Sequence, residues 1–284
     1  MEQRMKNEIK TLVFDLDGTI YQNTVFHRDY LRFLVEGTDK ASWADELIRY
    51  ADAVFCGEHL QMNAFYGDTR IEASTPEMFF RALEAARLPD FPYEEALLRS
   101  DCIYTGDAWA VVTLIGKALG LLDGDRIDTV YRRTREKMSA DGMTGSVRLR
   151  DAIRSLGGNF DTILLSNSYE STAIAFLEQL GYSNTFEKAV FSANKPGGMI
   201  NALYAQDATL LERPQSVLTI GDHAFNDLIP LQQLGCRSLW INPFPNIRKP
   251  ACDASVRTPE ELAEYLEEML RRKLQGSSAS SFER

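Results

Sequence analysis

Short runs of apolar, β-rich residues punctuate the chain, and each stops at a polar residue or a glycine. IKTLVF at 9–14 ends at Asp15 and Gly18. TILLS (162–166), KAVFS (188–192), SVLTI (216–220) and CRSLWI (236–241) follow in the second half. Continuous apolar runs of this length, bounded by turn residues, predict buried strands. Amphipathic helical patterns lie between them at 146–158, 168–181 and 223–235, the last with Pro230 in its first turns. Strands alternating with helices predict an α/β fold, a Rossmann-like parallel sheet covered on both faces.

Residues 23–145 follow another pattern. In 126–138, Ile127, Val130, Tyr131, Thr134 and Met138 fall on one stripe and charged residues on the other. The stretch 75–88 opens with Thr75 as an N-cap and Pro76 at the first helical position. A third amphipathic helix is predicted within 38–55. An all-helical domain is therefore expected as an insertion after the first strand. The expected division is a core of 1–22 and 146–275, a helical cap of 23–145, and a small, polar, disordered tail of 276–284.

Composition narrows the class. The 284 residues carry 31 Lys+Arg against 41 Asp+Glu, a net charge of −10. That balance argues against a sequence-independent nucleic-acid binder, which needs a basic face, but not against a locally positive pocket for a small anion. No apolar run approaches the length that spans a bilayer, and the charged opening MEQRMKNEIK has no signal-peptide core. Cys56, Cys102, Cys236 and Cys252 form no C-x-x-C pair, as expected of free thiols in the cytoplasm. A monomer or homodimer that meets neither nucleic acid nor membrane is expected.

The chemistry-bearing residues sit where the predicted strands end. The first strand delivers Asp15-Leu16-Asp17-Gly18-Thr19; others lead to Ser166-Asn167, to Lys195 and to Gly221-Asp222, with Asp227 five residues on. In an open parallel sheet these carboxyl ends converge on one crevice. Residues two apart on extended chain face the same way, so Asp15 and Asp17 crowd each other unless a cation or shared proton relieves them. Gly18 lets the backbone turn sharply. Taken singly, Ser166 could cap a helix, Lys195 could be a loop lysine, and Asp222 and Asp227 could be turn and helix-start acids.

In this order the segments resemble the four motifs of the haloacid dehalogenase-like hydrolase superfamily. FDLDGT at 14–19 is similar to motif I, Ser166 in LLSNS to motif II, Lys195 in NKPGG to motif III, and GDHAFND at 221–227 to motif IV. The anchors are 151, 29 and 27 residues apart. KPGGMINAL lacks the second proline and aromatic that often follow motif III, and Lys188 is the rival lysine. The helical insertion resembles the superfamily's C1 cap.

The resemblance implies a phosphatase acting on a small phosphomonoester, a sugar phosphate or nucleotide, with a phosphomutase or a silent phosphate-binding protein as alternatives. Dehalogenation is disfavoured, because the dehalogenase branch lacks the second motif I aspartate and Asp17 is present. Asp15 is implied as the nucleophile and Asp17 as general acid and base. Asp15, Asp222 and the Asp17 carbonyl would bind Mg²⁺. Ser166, Asn167, Lys195, Gly18 and Thr19 would cradle the phosphate, with Asp227 behind them orienting Lys195. In the cap, Tyr66, Arg70 and Trp109 are candidate pocket residues. His27, His59 and His223 are read as structural, and Tyr21 as a packed aromatic.

Overall fold

The computed structural model describes residues 9–281. The opening stretch to residue 8 and the last three residues of the expected tail lie outside the described residues. The chain begins with β1 (Thr11–Phe14), followed by α1 (Phe26–Val35), α2 (Ala44–Phe55), β2 (Phe65–Gly67), α3 (Pro76–Ala85), α4 (Tyr93–Leu98), β3 (Cys102–Tyr104), α5 (Ala108–Ala118) and α6 (Asp125–Ala140). It continues with α7 (Val147–Ser155), β4 (Asp161–Leu165), α8 (Glu170–Gln179), β5 (Lys188–Val190), α9 (Met199–Gln206) and β6 (Val217–Gly221). Last come α10 (Ile229–Gln232), β7 (Arg237–Ile241), β8 (Ala254–Val256) and α11 (Pro259–Ser281).

A six-stranded sheet in the order β5-β4-β1-β6-β7-β8 forms the core. Every pairing in it is parallel, with β1 central between β4 and β6. Alternation along β1 builds the two faces. Leu12 and Phe14 pack with Leu164, Ile220 and Leu239, whereas Val13 packs with Ile163, Leu165 and Val217 on the other side. With both faces covered, β1 is buried throughout, and apolar from Leu12 to Phe14. The first of these clusters runs on into the inserted segment, through Leu31, Leu47 and Val111.

The insertion is mostly helical but not wholly so. β2 and β3 pair antiparallel, Phe65 against Tyr104, a correction to the all-helical expectation. Three-residue strands carry too little periodicity to read in advance. Thr75 caps α3 as expected, its Oγ1 accepting from Met78 N at 3.3 Å. Asp107 caps α5, its Oδ1 accepting from Ala110 N at 2.6 Å. The segment 223–235 is not one helix: a π-helical turn, Ala224–Leu228, precedes the short α10. Pro230 supplies no N–H to hold a continuous ladder there.

The disordered-tail expectation is corrected in part, since α11 continues to Ser281. Extending a formed helix costs little per residue, and Gly276 alone does not stop it. Among the described residues no helix is long and apolar enough to cross a membrane. All four cysteines are free.

Candidate active site

β1, β4 and β6 end side by side, and the loops that leave them carry the motif residues. Lys195 is the hub. Its Nζ donates to Asp15 Oδ1 at 2.7 Å and to Asp227 Oδ1 at 2.6 Å, with all three side chains buried. The Lys188 alternative falls away: that ammonium donates instead to Gln206 O at 2.9 Å. Asn167 and the lysine loop clamp each other. Lys195 N donates to Asn167 Oδ1 at 2.7 Å and Asn167 Nδ2 to Lys195 O at 3.0 Å. The Asn167 side chain thus holds the lysine loop at the cavity wall. Thr19 likewise serves the carboxylate, its Oγ1 donating to Asp15 Oδ2 at 3.3 Å. Ser166 is buried, and its Oγ accepts from Ser168 N at 3.0 Å, which leaves its O–H free to donate.

Asp222 comes very near the motif I turn. Gly18 sits at φ +81°, and a Cβ built there would lie 1.9 Å from Asp222 Oδ2. Only glycine permits both the conformation and the approach. One carboxylate oxygen each from Asp15, Asp222 and Asp227 lies within 4.8 Å of the others. Among the described residues no donor reaches the Asp222 carboxylate. Burial pushes its carboxyl well up, and Asp107, Asp15 and Asp227 add to the rise. Burial also raises Asp15 against the pull of Lys195, to about 7. Lys195 itself is lowered by burial but raised further by Asp15 and Asp227. All-oxygen donors, mutual repulsion and a donor-free carboxylate are the conditions a hard divalent cation relieves, so these residues fit a magnesium site.

The Asp17 carboxylate is turned to other partners. Its Oδ2 accepts from Ser168 Oγ at 2.6 Å, and its Oδ1 accepts from Tyr21 Oη and from Arg135 Nη1 of α6. Burial alone would raise this carboxyl; Arg135, Ser168 and Tyr21 outweigh it and hold it below the ordinary carboxylate range. Tyr21 packs edge-on against Phe176 as well, with ring centres 5.9 Å apart.

A cavity of about 580 Å³ covers these residues, walled by the core loops on one side and by α5, α6 and β3 on the other. Trp109 lines it, as expected. Tyr66 and Arg70 do not. Tyr66 is buried under the ribbon, its Oη accepting from Gln61 N at 2.8 Å, and Arg70 Nε donates to Glu72 at 2.9 Å. His59 is half-exposed beside Glu84, and His27 Nε2 meets Asp52 Oδ1 at 2.7 Å. His223 lines the cavity and has Asp107 for a neighbour. The sequence reading missed Arg135, Asp107 and Ser168.

A haloacid dehalogenase-like hydrolase model matches residues 9–235, and the chain belongs to that family. No curated protein matches it. Solved structures share its fold at low identity. YfnB of Bacillus subtilis, a candidate HAD-hydrolase bound to magnesium, is 18% identical over 91% of this chain and 99% of that one, with a TM-score of 0.51. A haloacid dehalogenase-like protein of unknown function from Agrobacterium tumefaciens is 11% identical over 92% and 99%, TM-score 0.50. A Thermotoga maritima protein named as a candidate beta-phosphoglucomutase is 16% identical over 92% and 99%, TM-score 0.49.

Proposed function

We propose that this hydrolase is a magnesium-dependent phosphatase that cleaves a small phosphomonoester through an aspartyl-phosphate on Asp15. The observation that carries the reading is the Lys195 bridge from Asp15 to Asp227, set beside the donor-free Asp222. A carboxylate approaching a phosphate dianion at ~3.5 Å meets a repulsion of roughly 9 kcal/mol at an effective dielectric of ~20. Lys195 supplies one counter-charge. A divalent ion held by Asp15, Asp222 and the Asp17 carbonyl would supply two more.

The chain's own residues then divide the work. Asp15 attacks phosphorus through a carboxylate oxygen, while Lys195 at Oδ1 and the longer contact from Thr19 at Oδ2 fix the group's orientation. Ser166 donates to a phosphoryl oxygen. Asp17 passes a proton to the leaving oxygen and takes one from water in the second half-reaction. Retention of Asp17 favours phosphoryl transfer over dehalogenation. Hydrolysis of p-nitrophenyl phosphate tests the reading: turnover that rises with Mg²⁺ and vanishes in Asp15→Asn supports it. Unchanged turnover in Asp15→Asn rejects the covalent route, and no turnover with any phosphomonoester rejects the reaction class.

A further inference from the structure

We propose that the alcohol released by this enzyme is positively charged, so that its substrate is the phosphate of an amino alcohol; this rests on the phosphatase reading above. The charges around the cavity point that way. Lys195 and Arg135 are the lysine and arginine lining it among the described residues, and neither is free. Lys195 is held by Asp15 and Asp227, and the Arg135 Nη1 by Asp17 and the Tyr21 hydroxyl. The other Arg135 nitrogens, Nε and Nη2, are sealed in the packing without a partner, where the guanidinium lies 3.8 Å from the Phe176 ring centre. No lysine or arginine of the lining remains to receive a second phosphate or a carboxylate on the leaving group; the other basic side chain there is His223, whose Nδ1 accepts from Asn226 N at 3.1 Å.

What does remain is an aromatic box with an acidic rim. Trp109 and Tyr131 stand 5.5 Å apart between ring centres, and Tyr131 meets Tyr169 edge-on at 5.9 Å. Tyr169 Oη donates to Asp128 Oδ1 at 3.2 Å, which fixes an exposed carboxylate at the cavity mouth. Deeper in, Asp107 adds a second carboxylate, with His223 as its neighbour. Ring faces and carboxylates both attract cations. The wall already holds one: the Arg135 guanidinium carbon lies 5.8 Å from the Trp109 ring centre and 5.7 Å from that of Tyr131. A substituted ammonium on the leaving group would therefore meet π faces and the Asp128 carboxylate on this wall.

The probe pair is choline phosphate and 3,3-dimethylbutyl phosphate, the same shape with carbon in place of nitrogen. We expect kcat/KM to favour choline phosphate at least about tenfold, and Asp128→Asn and Trp109→Leu to shrink that ratio. Trp109 also stacks on Phe26 at 4.1 Å, so the surface substitution Asp128→Asn keeps the test sound if Trp109→Leu misfolds. Equal values for the two esters, or a preference for glycerol 3-phosphate, overturn the inference. Calorimetric binding of both esters to Asp15→Asn separates recognition from turnover. A binding preference without hydrolysis of p-nitrophenyl phosphate sinks the phosphatase reading and leaves cation recognition standing. Hydrolysis of p-nitrophenyl phosphate without any preference sinks cation recognition alone.

Discussion

Arg135 on α6 closes a buried ion pair with Asp17, 118 residues earlier in the chain. The insertion therefore reaches into the motif I turn and sets the charge of the side chain read as the proton shuttle. Replacing Arg135 with leucine removes the strongest influence that opposes burial. The Asp17 carboxyl should then rise. With Asp17 as the base of the second half-reaction, the acid limb of the kcat profile moves to higher pH by about one unit or more when dephosphorylation limits turnover. An unmoved limb would detach Asp17 from the rate-limiting proton transfer.

Lys195→Met leaves Asp15 and Asp227 facing each other without their shared ammonium. Breaking a buried ion pair by removing one partner costs about 3–5 kcal/mol. Urea unfolding at neutral pH should show a loss of that order. Added Mg²⁺ should restore part of it, because the ion replaces some of the lost positive charge. Full stability in the metal-free variant would contradict the hub role assigned to this lysine.

Gly18→Ala should separate metal binding from folding. The new methyl would collide with Asp222 Oδ2 and sit at a positive φ, a strain of about 1–3 kcal/mol. Displacing Asp222 should weaken Mg²⁺ affinity by roughly tenfold or more, read by calorimetric titration. Wild-type affinity would remove Asp222 from the ion's ligands.

The carboxylate cluster should give the metal-free protein an unusual pH response. Asp15 is raised to about 7, and Asp222 and Asp107 are also raised, each from a reference of 3.8. Between pH 7 and 4 the folded protein binds these protons before the unfolded chain does. Their contribution to stability therefore increases as pH falls through that window. The melting temperature with EDTA should rise or hold on mild acidification from pH 8 to 6. The increment given by Mg²⁺ should be larger at pH 8 than at pH 5.5. An increment independent of pH would count against Asp15 and Asp222 as the ion's ligands.

The strands were legible because a buried parallel strand needs a short, mostly apolar run, and TLVF, TILL and SVLTI each stop at or one residue before the site residue that follows. β8 escaped because ASV is too short to register. The acids and Lys195 were readable from their order at strand ends. Arg135 was not, since a basic residue in RIDTVYRRTREKM is most simply placed on the solvated face. Its position carried a clue: it stands four residues after Tyr131 and three before Met138, on the very stripe assigned to the core. The ribbon and the Asp107 turn depend on contacts between segments distant in sequence, which no local pattern records.

The turn before α5 sets how closely the insertion meets the Asp222 loop. A Cβ at Gly106 would lie 2.7 Å from the His223 ring, so the insertion shuts on the Asp222 loop against a bare patch of backbone. Any side chain at that point would act as a doorstop.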